Sequence, residues 1–470
     1  MKLINLIKNE LIKIFHKAGI YVMLLIVVVL SIIAVVLNKY LSVEDISNSF
    51  LVEVKMEDYD VKDPIQLENY VADKSNYETL KEISKYKYES PEYYYLDNNL
   101  YDVIYCQNRA KYIEKNEKKE KECSSEHEIL LANAKNFDYK KVLLEEKAEL
   151  VKELNKIGED AELTELDYVK AKILVIDYRI DNNLPKTYTD SSKEIESYPD
   201  LYREYFSLDQ NDKDYKNKED LLVKKEKEKQ LFEIKYKIDN KLYVSGKNYS
   251  LRDSIIYKFT TVDVFVLITV IMITGSILSE EFNKGTIKQL LVRPFSRSKI
   301  LFSKLIASLI VFILFLLCYT VLDGIITAVG LGGVKEIFEP MIVYNYNKSA
   351  VVEYSLLTYC ILSFLAILPK YLIIILFVFL VSIISTSSSV SMAAGYFLMF
   401  ASSIIDSFKN IKIINYLPTS VWNFNDYLFG GMSSNPYGSL SSSIIIVIIT
   451  IIFLIILSQF IFSKKNIKNQ

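Results

Sequence analysis

The residues that staple small secreted folds and build metal enzymes are scarce in this chain. Its 470 residues include 4 Cys, too few for a disulfide scaffold. They include 2 His; Cys123 and His127 would offer two metal ligands, but no full set accompanies them, and no metal site is expected. No G-x-x-x-x-G-K-S/T stretch occurs, so no loop of backbone amides is there to cradle a nucleotide phosphate. No Ser/His/Asp set and no paired carboxylate stands out, so an enzyme is not expected. Basic residues are not in excess either. The 56 Lys+Arg stand against 58 Asp+Glu, a net charge of −2, which leaves nothing to offset nucleic-acid phosphate.

What is present is segregated. Apolar residues make up 51% and charged residues 24%, ordinary values for a soluble protein. Yet residues 18–37, 371–405 and 441–463 carry no charge, while 38–254 are crowded with Lys, Glu, Asp and Tyr. Uncharged runs of about 20 residues match the hydrocarbon core of a bilayer. This excludes a simple cytoplasmic or secreted enzyme. Six spans are expected: Ala18–Leu37, Ile256–Leu278, Ile300–Val329, Tyr371–Ile384, Val390–Ile405 and Ser442–Phe462. Pro369 is expected to interrupt the long run from Ser355, leaving Ser355–Leu368 as a separate outer-leaflet or re-entrant piece.

Residues 1–17 read as a cationic amphipathic helix lying on the membrane, with Leu3, Ile4, Ile7, Leu11, Ile14 and Phe15 on its apolar face. Lys2, Lys8, Lys13 and Lys17, the loop 279–304, and Lys464, Lys465 and Lys468 fall on one side of a six-span chain. The positive-inside rule makes that side, with both termini, cytoplasmic. Residues 38–254 then face outward as an extracellular, mainly helical domain. Leu143, Leu150, Leu154 and Ile157, followed by Leu166, Val169, Ile173, Ile176 and Ile180, predict a coiled-coil-like hairpin breaking near Gly158. The Tyr-rich stretch Tyr86–Tyr105 is either a partner surface or aromatic packing. A Cys106–Cys123 bridge stays open, and Cys318 and Cys360 read as small buried hydrophobes.

The most informative stretch is residues 279–304, SEEFNKGTIKQLLVRPFSRSKILFSK. Glu280 and Glu281 close the second span, Gly285 permits a turn, and Thr286 is placed to cap a short helix. Ile287, Leu290 and Leu291 give that helix an apolar face, with Lys284, Arg293 and Arg297 around it; Pro294 stops it. A short helix held out between two spans suits docking into a groove on another protein, or else rests on anionic lipid.

The pattern E-E-F-x-x-G-T-I-K-x-L-L-x-x-P-x-S-R-x-x-I-x-x-S-K resembles permeases of the ABC-2 type, the membrane subunits of ATP-binding-cassette exporters. The opening K-N-E-L-I-K-I and the closing F-I-F-S-K-K-N fit the same family. The resemblance covers residues 1–37 and 255–470; the 38–254 insertion departs from it. It implies that about 284–299 is a coupling helix resting on a cytoplasmic ATPase subunit, through Glu280, Glu281, Lys284, Gly285, Thr286, Ile287, Leu290, Leu291, Arg293, Pro294 and Arg297. That subunit would bind ATP and Mg and hydrolyse ATP, and this chain would hold no cofactor. A second permease chain, alike or different, would complete the pathway. The cargo would be an amphipathic compound: a peptide antibiotic, a lipid-like molecule or an ion. Asp263, Asp323 and Lys370, charged groups at or near the outer ends of spans, are candidates for an outer gate. The alternative from another class is a membrane-anchored sensor or scaffold whose outer domain binds a partner.

Overall fold

The computed structural model describes residues 2–40, 52–88, 90–156, 163–188, 190–208, 218–242, 250–261, 263–287, 295–385, 387–408, 411–432 and 439–465. Helix α1 (Lys2–Phe15) leads into α2 (Ala18–Tyr40). A polar series follows: α3 (Pro64–Ile83), α4 (Pro91–Arg109), α5 (Glu117–Lys135), α6 (Tyr139–Lys156), α7 (Leu163–Asn182), α8 (Asp190–Glu196), α9 (Tyr198–Ser207) and α10 (Lys218–Asp239). Then come α11 (Leu251–Thr260), α12 (Val264–Asn283), α13 (Arg297–Leu331), strands β1 (Met341–Asn345) and β2 (Ala350–Tyr354), α14 (Leu356–Ile384), α15 (Ser388–Asp406), α16 (Pro418–Val421) and α17 (Leu440–Lys464). Among the described residues, α2, α12, α13, α14, α15 and α17 are long and apolar enough to cross a membrane.

The chain divides into two compact units, one of residues 1–35, 216–222 and 249–470, the other of 36–215 and 223–248. In the first, α12 and α14 are central, and both pack against α15; α14 also meets α17, and α1 lies on α13. Their core is aliphatic and aromatic, with Val270, Ile374, Val378 and Phe312 fully buried. Gly395 marks a tight crossing: a Cβ there would stand 2.5 Å from Val378 and 2.7 Å from Ile271. In the second unit, Leu143, Leu150, Val169 and Ile176 zip α6 to α7, as their spacing predicts; Gly158 lies outside the described residues. Tyr93 packs with Ile83, Leu96, Leu100 and Ile104. Tyr188 stacks on Tyr88, with ring centroids 5.5 Å apart, so this part of the Tyr-rich stretch is aromatic packing. Cys106 and Cys123 are bonded, S–S 2.08 Å.

Several elements differ from expectation. Pro369 does not divide its run: α14 continues through it for 29 residues. Proline lacks the N–H that would bond the Leu365 carbonyl, and in the same turn the Ala366 carbonyl accepts from the Phe424 backbone N–H (3.0 Å), a bond from a neighbouring segment that braces the loosened turn. The second apolar run is not one helix. Thr261 turns extended and Asp263 starts a new helix, its carboxylate accepting from the amides of Phe265 (2.9 Å) and Val266 (3.1 Å). Residues 341–354, expected as loop, form an antiparallel hairpin pairing Met341 with Tyr354. On α1 the buried line is Leu6, Glu10 and Ile14, while Ile4 and Phe15 are exposed. Cys318 is exposed on α13; Cys360 is buried.

Candidate functional site

At the end of α12, Glu281 enters a closed ring of four charges drawn from three helices. Lys13 reaches Glu10 at 3.1 Å and Glu281 at 2.9 Å. Lys304 reaches the other oxygens of the same carboxylates, each at 2.8 Å. Every member thus touches two opposite charges, and α1, α12 and α13 are riveted together. Lys304 has 0% side-chain exposure, a burial tolerable for an ammonium only when counter-charges surround it. Beside the ring, Lys17 pairs with Glu280 (2.8 Å) and donates to the Ser276 hydroxyl (2.9 Å).

Burial alone would raise the Glu10 carboxyl, but Lys304 and Lys13 outweigh it and hold the group below its ordinary value. Burial would likewise lower the Lys13 ammonium, yet Glu281 and Glu10 hold it above its ordinary value. Both members therefore stay charged across the physiological range.

A groove of about 780 Å³ runs along this end, lined by Asn9, Lys13, His16, Lys17, Glu280, Glu281, Lys284 and Thr286. Lys284 closes α12, and Gly285 turns the chain with φ +68°, in the left-handed region glycine adopts freely. Ile287 is buried at 1% exposure. Leu290, Leu291, Arg293 and Pro294 lie outside the described residues. Ser296 caps α13 by accepting from the Lys299 amide (3.4 Å). Arg297 donates to the carbonyls of Ser463 (2.7 Å) and Lys465 (3.2 Å), closing the end of α17. Lys465 in turn donates to Ile383 O (2.6 Å) at the end of α14, where burial pushes its ammonium below the ordinary value.

At the opposite end of α12, about 26 Å away by helical rise, two of the three gate candidates meet one lysine missed in the sequence. Lys258 lies 2.5 Å from Asp323 and sits over the Tyr319 ring at 4.9 Å. Asp323 also accepts from the hydroxyls of Ser31 (2.5 Å) and Ser254. Asp263 faces Lys258 and Tyr319 as well, but its carboxylate is engaged as the cap of α12. Lys370 stands elsewhere, its ammonium over Trp422 at 5.4 Å from the ring centroid.

Glu280 and Glu281 were legible; Glu10, Lys13, Lys17, Ser276 and Lys304 as their partners were not. One signal was present: Glu10 falls midway between Leu6 and Ile14 at i, i+4 spacing, on what would otherwise be an apolar stripe. No group of three or more His, Cys, Asp or Glu able to hold a metal occurs among the described residues.

A family model described as "Protein of unknown function (DUF2705)" matches residues 220–468, which takes in five of the six membrane-length helices. The "Uncharacterized protein YhcI" of Bacillus subtilis (strain 168) is 28% identical over 203 residues, covering 42% of this chain and 64% of that relative. The chain thus matches a little under two thirds of the curated relative's length. No solved structure matches.

Proposed function

The chain belongs to the DUF2705 family, and from its own residues we propose that it is the membrane-spanning subunit of an ATP-binding-cassette exporter. The observation that carries this is the charge ring. It fastens α1 and the start of α13 to the end of α12, beside the stretch of about 284–299 that resembles a coupling helix. A force applied to that segment by a partner would be delivered to three helices as one body. Exposed Ile4, Ile12 and Phe15 on α1 suit a helix lying in lipid headgroups. Both termini and the coupling segment are cytoplasmic in this proposal, and the second compact unit is extracellular. Its Cys106–Cys123 bond favours that side, since disulfides persist in oxidising compartments. ATP and Mg are bound and ATP hydrolysed by a separate subunit, a second membrane chain completes the path, and the cargo is an amphipathic peptide, a lipid-like molecule or an ion.

The test is purification of the tagged chain from its host in mild detergent. A stoichiometric ATPase with a phosphate-binding loop is expected, and Leu290→Asp with Leu291→Asp should abolish its association while membrane insertion is kept. An intact complex in that double variant would count against docking at this segment. A second reading, a sensor or scaffold, is favoured by the size and separate cores of the second unit, residues 36–215 and 223–248. A stable partner of that unit, with no ATPase, would establish it instead.

A further inference from the structure

Helix α11 is ten residues long and capped at both ends. Ser250 and Asp253 form a reciprocal capping box at its start. At its other end Thr261 is extended, and Asp263 opens α12 independently. It is therefore a separate rod, standing in chain order between the last residues of the second unit and the long apolar helices that follow.

The way this rod is held is unusual within its unit. Its buried residues are Leu251, Ser254 and Lys258, one of which is apolar. By contrast, α12 buries seven aliphatic side chains, from Val266 to Leu278, together with Phe282. Leu251 and the half-buried Phe259, whose ring stands 6.0 Å from that of Phe364, seat α11 on the core, and its two other buried side chains, Ser254 and Lys258, make polar contacts. Lys258 and Ser254 both engage Asp323 on α13. Arg252 donates to the carbonyls of Glu336 (3.1 Å) and Pro340 (2.6 Å), and the Asn425 amide donates to Thr260 O (2.6 Å). The ion pair is the deepest of these, at 3% and 10% side-chain exposure. A buried pair adds little over apolar residues of the same volume, but it is close to all-or-none, since loss of either partner strands a charge.

We propose that α11 is a releasable strap and that Lys258–Asp323 is its latch, fastening it to α13. When the pair opens, α11 leaves its seat while α12, α13 and α14 keep theirs. The strap lies on the chain path from the second unit, so the latch is where a load carried along the chain from that unit meets the membrane-length helices. This stands apart from the transport proposal and holds equally for a sensor.

The experiment is hydrogen–deuterium exchange of the full chain in lipid nanodiscs, comparing wild type with Asp323→Asn and with the apolar pair Lys258→Met/Asp323→Leu. In D323N, exchange of amides 251–260 should rise by about tenfold or more, with Val264–Asn283 and Leu356–Ile384 unchanged. The apolar pair should exchange at or below the wild-type rate, a strap that no longer lets go. Three results would overturn the proposal. Unchanged exchange in 251–260 would mean the pair holds nothing. A rise spread over all the membrane-length helices, or failure of D323N to accumulate in the membrane, would mean the pair is a strut of the core.

Discussion

The two ends of α12 solve the same problem differently. Near Glu281, four charges close a ring in which each ion has two counter-ions, so no single contact decides the structure. Near Asp263, Asp323 has one close ammonium, and hydroxyls supply its other bonds. A ring distributes load over three helices; a single pair concentrates it. Buried charge thus serves as a permanent rivet when redundant and as a separable contact when not.

The comparison breaks most visibly at Lys304. Lys304→Met leaves two buried carboxylates with only Lys13 between them and should cost about 3–5 kcal/mol. Calorimetry of the purified protein should show a fall in Tm well beyond that of Asp323→Asn, whose effect is local. Equal falls would erase the distinction between rivet and latch. Lys17→Met probes the margin of the ring. Its pair with Glu280 is about one third exposed on both sides, so solvent screening leaves less than about 1 kcal/mol. A loss as large as that of K304M would show that the ring extends to Glu280.

The smallest expected effect is that of pH. Glu10 is held below its ordinary 4.5, so its contribution is complete above that value and is lost only as pH falls through the lower folded one. Lys13 is held above its ordinary 10.5, so its contribution is complete below that value and is lost only as pH rises through the higher folded one. The Tm difference between wild type and Glu10→Gln should stay level from about pH 5.5 to about pH 9. A slope inside that window would mean that a member of the ring titrates there.

The membrane-length helices were legible because composition announces them: a run such as residues 18–37, uncharged throughout, has the length of a bilayer crossing. Their interruptions were harder. Proline is a helix breaker in water, whereas in the turn before Pro369 the Ala366 carbonyl is held by the Phe424 amide, a partner far along the chain that no local rule contains. The stop at Thr261 was present in the Thr-Thr-Val-Asp run but was outweighed by its apolar flanks. The ring was least legible of all. Two of its four pairs join residues 268 and 294 positions apart, and sequence periodicity reports faces, not partners. The hairpin at 341–354 was missed because strands of five residues give too short an alternation to separate from loop.

The contact of Lys370 with Trp422 has a spectroscopic consequence. The chain has a single tryptophan, and it is 2% exposed. Its indole sits under an ammonium and beside the stretch where Phe424 meets the Pro369 turn. A cation over the ring tunes the emission colour of the indole. Excited at the red edge, beyond the absorption of the 35 tyrosines, the native protein carries one built-in optical probe. Any emission shift on adding a ligand or partner is therefore assigned in advance to one place, the end of α16 where Trp422 meets Lys370 of α14.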